Sequence, residues 1–172
     1  ILTSFNDRFD IHQAAVQNIN RLGENRSLAV VTGQQLGIYG GPLYTVLKTI
    51  SVIHLARQLE ETYDRPVVPV FWLADEDHDY EEIRSLTVLN NETDEVERYD
   101  LPAKGDGLST VAEMPIPKQI TELREKLKGT LYDTDFTDEL WDLLDNCFES
   151  GQSFRLSFGR FISKLFSKHG LV

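Results

Sequence analysis

The sequence is poor in cysteine and has no long hydrophobic run. Its single cysteine, Cys147, cannot form an internal disulfide, which excludes a disulfide-stapled secreted domain and favours the reducing cytoplasm. No apolar run approaches the ~20 residues that cross a bilayer, and no signal peptide opens the chain. We therefore expect a cytoplasmic protein that does not enter a membrane.

Basic residues are also scarce, because 17 Lys and Arg stand against 28 Asp and Glu, for a net charge of −11. Nucleic-acid binding depends on Lys and Arg neutralising phosphates, so this balance argues against a nucleic-acid partner. A small anionic ligand in a local pocket stays open. The first residue is Ile1 and the only methionine is Met114, so we expect an excerpt of a longer protein.

Apolar runs and glycines predict an α/β core in the first half of the chain. Buried strands are predicted over 28–32 and 67–73, and a helix starting at Pro42 and running to about residue 61 lies between them. A strand–helix–strand unit of this kind has parallel strands and a right-handed crossover. A doubly wound parallel sheet follows, with a further helix over 10–22.

The second half predicts an insertion and a helical return to the core. Short strand-like pieces at 87–89, 96–101 and 109–114 indicate a small β-rich insertion. Helices are predicted over 118–128, 137–149 and 153–168, with Gly129, Gly151 and Gly170 as stops, and the next parallel strand is expected to begin at Leu171 and Val172. The expected divisions are 1–86 for the first half of the core, 87–117 for the insertion and 118–172 for the return, cut before that next strand.

Two unusual stretches leave the same predicted sheet edge, over 32–42 and 74–82. Ligands of open parallel sheets bind beyond the carboxyl ends of the strands, so their convergence predicts a binding site. The glycines at 33, 37, 40 and 41 match neither the dinucleotide nor the Walker pattern, but they permit close backbone approach. Lys48 in the following helix indicates either a bound anion or a lysine that merely snorkels to solvent.

The second stretch, 75–82, holds six carboxylates in eight positions together with His78. Such a cluster could bind a cation or a substrate amine, or transfer protons. It could equally be the start of a helix, where acidic residues favour the helix dipole. No His-x-x-x-His or cysteine-rich spacing is present, so no zinc site and no metal ligand set are predicted.

Two long motifs resemble the bacillithiol biosynthesis cysteine-adding enzyme family. The first, VVTGQQLGIYGGPLYTVLKT, runs from Val30 to Thr49, and the second, PVFWLADEDHDYEEI, runs from Pro69 to Ile83. The segment from Phe161 to Val172 is similar to the family's approach to its next core strand. The resemblance spans the whole chain in the right order.

The resemblance implies a Rossmann-like core similar to class I synthetases and nucleotidyl transferases, with connecting-peptide insertions. It implies a ligase that adds cysteine to the amino group of glucosaminyl-malate, and a homodimer formed through a C-terminal coiled coil outside this sequence. The related synthetases carry a His-x-Gly-His signature at the loop–helix junction. The corresponding residues 39–42 are Tyr-Gly-Gly-Pro, which leaves the activating co-substrate unassigned, with ATP and magnesium as one option.

The resemblance also suggests which residues form the site. Substrate or nucleotide binding is expected at Thr32, Gly33, Gln34, Gln35, Tyr39, Gly40, Gly41, Pro42 and Lys48, and binding of the cysteine ammonium or proton transfer at Asp75, Asp77 and His78. Two other classes of function remain open. One is a ligand-binding Rossmann-like module without catalysis, and the other is a metal-dependent hydrolase built on the acidic patch 75–82.

Overall fold

The computed structural model describes residues 1–76, 79–103 and 110–172. They form two compact units. Unit 1 comprises Ile1–Gln34, Pro42–Ala74 and Gly159–Val172, and unit 2 comprises Gln35–Gly41 and Asp75–Phe158. The boundaries expected at residues 86 and 117 stay predictions.

The helices and strands alternate over most of the chain. In chain order they are α1 (Leu2–Asn6), α2 (Gln13–Arg21), β1 (Leu28–Gln35), α3 (Leu43–Tyr63), β2 (Val67–Ala74), α4 (Tyr80–Ile83), β3 (Ser85–Leu89), β4 (Val96–Asp100), α5 (Ile120–Thr130), α6 (Thr137–Cys147) and α7 (Phe154–Phe166). Strands β1 and β2 form the parallel sheet, and β3 and β4 form an antiparallel pair. The predicted α/β fold is confirmed.

Strand β1 is longer than the sequence predicted. It continues past Thr32 through Gly33, Gln34 and Gln35, which were expected in the glycine loop. A Cβ atom at residue 33 would lie 2.8 Å from the carbonyl oxygen of Trp72 and 3.0 Å from its Cβ. Glycine therefore allows β1 to approach β2 here, and the strand extends because of that approach.

The sheet of unit 1 is covered by helices on both faces. Val68 and Val70 project to one face, against Ile19 of α2 and Leu22, the residue that follows this helix. Side chains alternate along a strand, so Val67 and Pro69 project to the other face. There they line a cavity of about 240 Å³ together with Ile53 and Ala56 of α3.

The backbone of Val172 pairs with β2. The Phe71 N–H donates to the Val172 carbonyl at 2.8 Å, and the Val172 N–H donates to the Pro69 carbonyl at 3.0 Å. This alternation is that of a parallel pair. Val172 therefore pairs with β2 as the first residue of a parallel strand would, and the strand itself stays a prediction.

Unit 2 confirms the predicted helices but not all the expected strands. Helices α5 and α6 form within about two residues of the expected bounds, but α5 runs through Gly129, so this glycine is not a stop. The strand expected at 109–114 was wrong over Val111–Glu113, which form a single 3₁₀ turn; Ser109 lies outside the described residues. Proline at 115 and 117 limits extended pairing in this segment.

Cys147 and the phenylalanines of α7 are buried. Cys147 is fully inaccessible, and so are Phe154 and Phe158, while Phe161 and Phe166 are each 7% exposed. The phenylalanines recur at helical spacing along α7 and are packing residues. Within the described residues, no helix is both long enough and apolar enough to cross a bilayer.

Glu60 of α3 forms hydrogen bonds with both α2 and β2 in unit 1. Its Oε1 accepts from Arg21 of α2 at 2.6 Å, and its Oε2 accepts from the N–H of Val67, at the start of β2, at 3.1 Å. Burial disfavours the charged carboxylate, but the Val67 N–H and the Arg21 guanidinium outweigh that effect and hold the pKa of Glu60 below its ordinary value of 4.5.

We expect Glu60→Gln to lower the stability of the fold at neutral pH. A depressed pKa in the folded state stabilises the protein above the unfolded pKa, and this stabilisation is lost as the pH falls through the folded pKa. The difference between wild type and variant should thus shrink below pH 4.5. Thermal unfolding across the acidic range measures this difference, and a pH-independent difference would contradict the assignment.

The absence of a side chain at Gly159 is a second requirement of unit 1. A Cβ there would lie within 2.8 Å of three ring carbons of the buried Phe9. We expect Gly159→Ala to destabilise the protein by about 1–3 kcal/mol through overpacking. Gly129→Ala is the matched control, since nothing lies within 4 Å of its Cβ position in α5, and it should stabilise by about 0.5–1 kcal/mol. Denaturant unfolding compares the two.

Candidate functional site

Lys48 reaches from the second turn of α3 to the last residues of β1. Its Nζ donates to the carbonyl oxygen of Gly33 and to Oε1 of Gln34, both at 2.5 Å. The ammonium also lies 5.4 Å from the centre of the Tyr44 ring. Among the described residues no carboxylate forms an ion pair with it. Within the described ranges, Lys48 is therefore held by neutral oxygens of β1.

Two threonines near Lys48 lie on the buried side of α3. Thr45 and Thr49 are both 0% exposed. The Thr49 hydroxyl donates to the Thr45 carbonyl at 2.7 Å, while the Thr45 hydroxyl has no partner among the described residues. The hydroxyls of these two threonines are thus closed to solvent, whereas Lys48 is partly accessible.

The glycine loop belongs to unit 2 and depends on left-handed backbone. Gly40 has φ 89° and Gly41 has φ 67° with ψ −152°, and the second of these conformations is open to glycine almost exclusively. Tyr39 also has a positive φ, 50°, although it carries a side chain. A Cβ at Gly37 would lie 3.1 Å from the Gly41 Cα, so the loop closes tightly on itself.

Tyr39 points its ring at the aromatic residues of α6 and its C-terminus. It meets Trp141 edge-on at 6.2 Å and Phe148 at 5.4 Å between ring centres. Burial, then the charge of Asp145, raises the pKa of its hydroxyl, and Arg124 opposes this only partly. Tyr39 therefore remains neutral, and it lines a cavity of about 310 Å³ in unit 2.

Asp75, the first carboxylate of the acidic patch, is held in an ion pair. The Arg155 guanidinium donates to Asp75 through Nε and to Glu113 through an Nη nitrogen. Arg155 lies 80 residues from Asp75 in the sequence, and no local pattern marks it as a partner. Asp75 thus has a fixed orientation and a positive neighbour.

The later part of the acidic patch begins a helix. The Asp79 side chain accepts from the Glu82 N–H at 3.3 Å and caps α4, and Glu81 forms an ion pair with Arg84 at 2.7 Å. The interpretation as a helix start is confirmed for these residues. Asp77 and His78 lie outside the described residues, and the described part of the chain contains no group of three His, Cys, Asp or Glu suited to a metal.

The predicted site residues fall into both units. Thr32, Gly33, Gln34, Pro42 and Lys48 belong to unit 1, and Gln35, Tyr39, Gly40, Gly41 and Asp75 belong to unit 2. Of these, the hydrogen bonds of Lys48 bring Gly33, Gln34 and Lys48 together. Their roles toward a ligand stay predictions.

A parallel sheet with helices on both faces, a glycine loop after its first strand and polar groups at that strand's carboxyl end define a Rossmann-like domain. The chain belongs to the BshC family of bacillithiol biosynthesis. The model of this family's N-terminal Rossmann-like domain matches residues 1–172.

Curated relatives carry the name "Putative cysteine ligase BshC". Those from Geobacillus kaustophilus and Geobacillus thermodenitrificans are 37% and 36% identical over 99% of this chain. The relative from Chlorobaculum tepidum is 33% identical over 100% of the chain. The alignment covers 31% of the length of each of these relatives, so this chain spans about a third of them.

We expect Asp75 and Arg155 to be energetically coupled. Their side chains are 17% and 27% exposed, so a double-mutant cycle with Asp75→Asn and Arg155→Met should give a coupling of about 1–2 kcal/mol in unfolding free energy. The pair Arg98 and Asp100, 58% and 35% exposed, is the control and should give less than about 0.5 kcal/mol. Equal coupling energies in both pairs would contradict the conclusion that the Arg155 ion pair holds Asp75 in a fixed orientation.

Proposed function

We propose that this domain provides substrate-binding residues of an enzyme that joins cysteine to the amino group of glucosaminyl-malate in bacillithiol biosynthesis. Membership of the BshC family and the names of the curated relatives support a ligase. They favour it over a non-catalytic binding module and over a hydrolase built on the acidic patch. The proposed activity is that of a longer enzyme, since the matched relatives are about three times as long as this chain.

The arrangement of Gly33, Gln34 and Lys48 carries this proposal. It lies at the carboxyl end of β1, where open parallel sheets bind their ligands. Among the residues that the structure describes, the hydrogen-bond acceptors of Lys48 are neutral oxygens. Both proposed substrates bear carboxylates, which an uncompensated ammonium and nearby amide donors would attract.

The proposed reaction forms an amide. The sugar amine attacks the activated carboxyl carbon of cysteine, a C–N bond forms, the bond to the activating group breaks, and the amine loses a proton to a base. We propose Asp75, Asp77 and His78 for holding the cysteine ammonium or for accepting that proton. The ion pair with Arg155 fixes the orientation of the Asp75 side chain, which suits the first of these roles.

The activating group stays unassigned in this proposal. In the related synthetases two histidines contact the nucleotide phosphates, whereas residues 39–42 here offer no imidazole, and the Tyr39 ring packs against Trp141 and Phe148. These residues do not fit that way of holding a triphosphate. The cytoplasmic location and the homodimer formed through a coiled coil also stay proposals.

The test is product formation by a full-length BshC that carries these residues. The enzyme is incubated with cysteine and glucosaminyl-malate, with and without ATP and magnesium, and bacillithiol is detected by mass spectrometry. We expect product in at least one of these conditions, and a dependence on ATP would identify the activating group. Asp75→Asn should lower turnover by about tenfold or more by removing a charged contact.

The matched control is Asp133→Asn, since Asp133 is exposed and follows α5 in the loop before α6. Its turnover should equal that of the wild type. A wild-type enzyme that binds both substrates but forms no product under any condition would contradict the ligase proposal.

A further inference from the structure

The contact between Lys48 and Gln34 determines which end of the Gln34 carboxamide faces the lysine. An ammonium group has three donors and no acceptor, and a carboxamide has an acceptor oxygen and a donor nitrogen. The atom that faces Lys48 must therefore be the oxygen, as the Oε1 contact at 2.5 Å shows. The NH₂ group of Gln34 consequently faces away from Lys48.

We propose that Lys48 is a positioning residue that makes Gln34 a hydrogen-bond donor toward a carboxylate group of the substrate. This inference rests on the proposed function of the site and assigns the chemical group that Gln34 recognises. Gln34 is half-buried, and its nitrogen has no acceptor among the described residues. Its donors are thus available to a ligand at the carboxyl end of β1.

Lys48 can impose this orientation because it is itself anchored at a second point. Its other hydrogen bond goes to the carbonyl of Gly33, whose backbone lies against Trp72 of β2. The lysine stem rises from α3, so both ends of the contact are fixed by regular secondary structure. Sites supported in this way hold their geometry more closely than sites on loops.

The charge of Lys48 also selects the kind of acceptor. A hydrogen bond to the Gln34 oxygen polarises the amide and strengthens its N–H donors, as in other hydrogen-bond chains. Because no carboxylate of the described residues forms an ion pair with Lys48, the positive potential extends beyond Gln34. A negatively charged oxygen therefore fits this position better than a neutral carbonyl.

Two substitutions of Gln34 separate the donor role from simple charge. Gln34→Glu keeps an acceptor for Lys48 but has no N–H, and Gln34→Met removes the donor without adding charge. Both should raise the KM for cysteine or for glucosaminyl-malate by about ten- to hundredfold, with kcat within about threefold of wild type. The substrate whose KM rises is the one that places its carboxylate here. If Lys48 bound the carboxylate directly, Gln34→Met would release the lysine and leave KM unchanged or lower.

Lys48 is tested by removal and by conservative replacement. Lys48→Met should raise the same KM, and Lys48→Arg, which can still donate to both oxygens, should restore most of the affinity. Gln58→Glu is the matched control for the charge change, because Gln58 is exposed on the same helix, and it should leave both KM values unchanged. Thermal unfolding checks that each variant is folded.

The inference and the ligase proposal fail in different ways. If the wild-type enzyme forms no product, calorimetric binding of glucosaminyl-malate and of cysteine replaces KM as the measurement. Binding that weakens in Gln34→Glu and Gln34→Met supports the inference even though the ligase proposal has failed. Equal KM values or affinities in wild type and both Gln34 variants overturn the inference, and so does a wild-type protein that binds neither compound.

Discussion

Two parallel strands cannot be joined by a tight turn, and this constraint shapes the whole of unit 1. The connection from β1 to β2 has to cross the sheet, and the 21 residues of α3 make that crossing. The helix then presents Lys48 to the end of the strand from which the chain has just departed. The close pairing itself requires glycine at residue 33, next to the backbone of Trp72. The candidate site is therefore a product of the same geometry that forms the sheet.

The positive charges of the candidate site lie in two different environments that the sequence does not distinguish. A protein with net charge −11 places one cation, Lys48, among neutral acceptors, and another, Arg155, among carboxylates. The two cations consequently differ in the charge of their partners. The ion pair of Arg155 fixes Asp75, whereas the described partners of Lys48 are the neutral oxygens of Gly33 and Gln34. Counting charges along the chain cannot distinguish these roles, because each depends on which polar atoms the fold brings within a few ångströms.

Local patterns predicted most of the fold, and contacts distant in sequence account for what they missed. Apolar runs and helical spacing located β2, α3, α5 and α6 within a few residues. The polar residues Gln34 and Gln35 concealed the end of β1, since strand pairing there depends on the backbone rather than on side-chain hydrophobicity. Gly129 was expected to end α5, but its position near the helix terminus is exposed and needs no unusual φ. Arg155 was missed because its partner lies 80 positions earlier.

Pro69, in the middle of β2, lacks a backbone donor, and a side chain supplies the missing hydrogen bond. In a parallel pair in which Val172 bonds to residues 69 and 71, the N–H of residue 69 would donate to the carbonyl of residue 170. Pro69 has no N–H, and the amide nitrogen of the buried Asn18 donates to that Gly170 carbonyl instead, at 2.7 Å. A side chain of α2 thus completes the hydrogen-bond ladder of an interior strand. Substitution at residue 18 is therefore constrained by the proline at residue 69. A change at Asn18 would leave the buried Gly170 carbonyl without a donor, because Pro69 has no N–H to replace it.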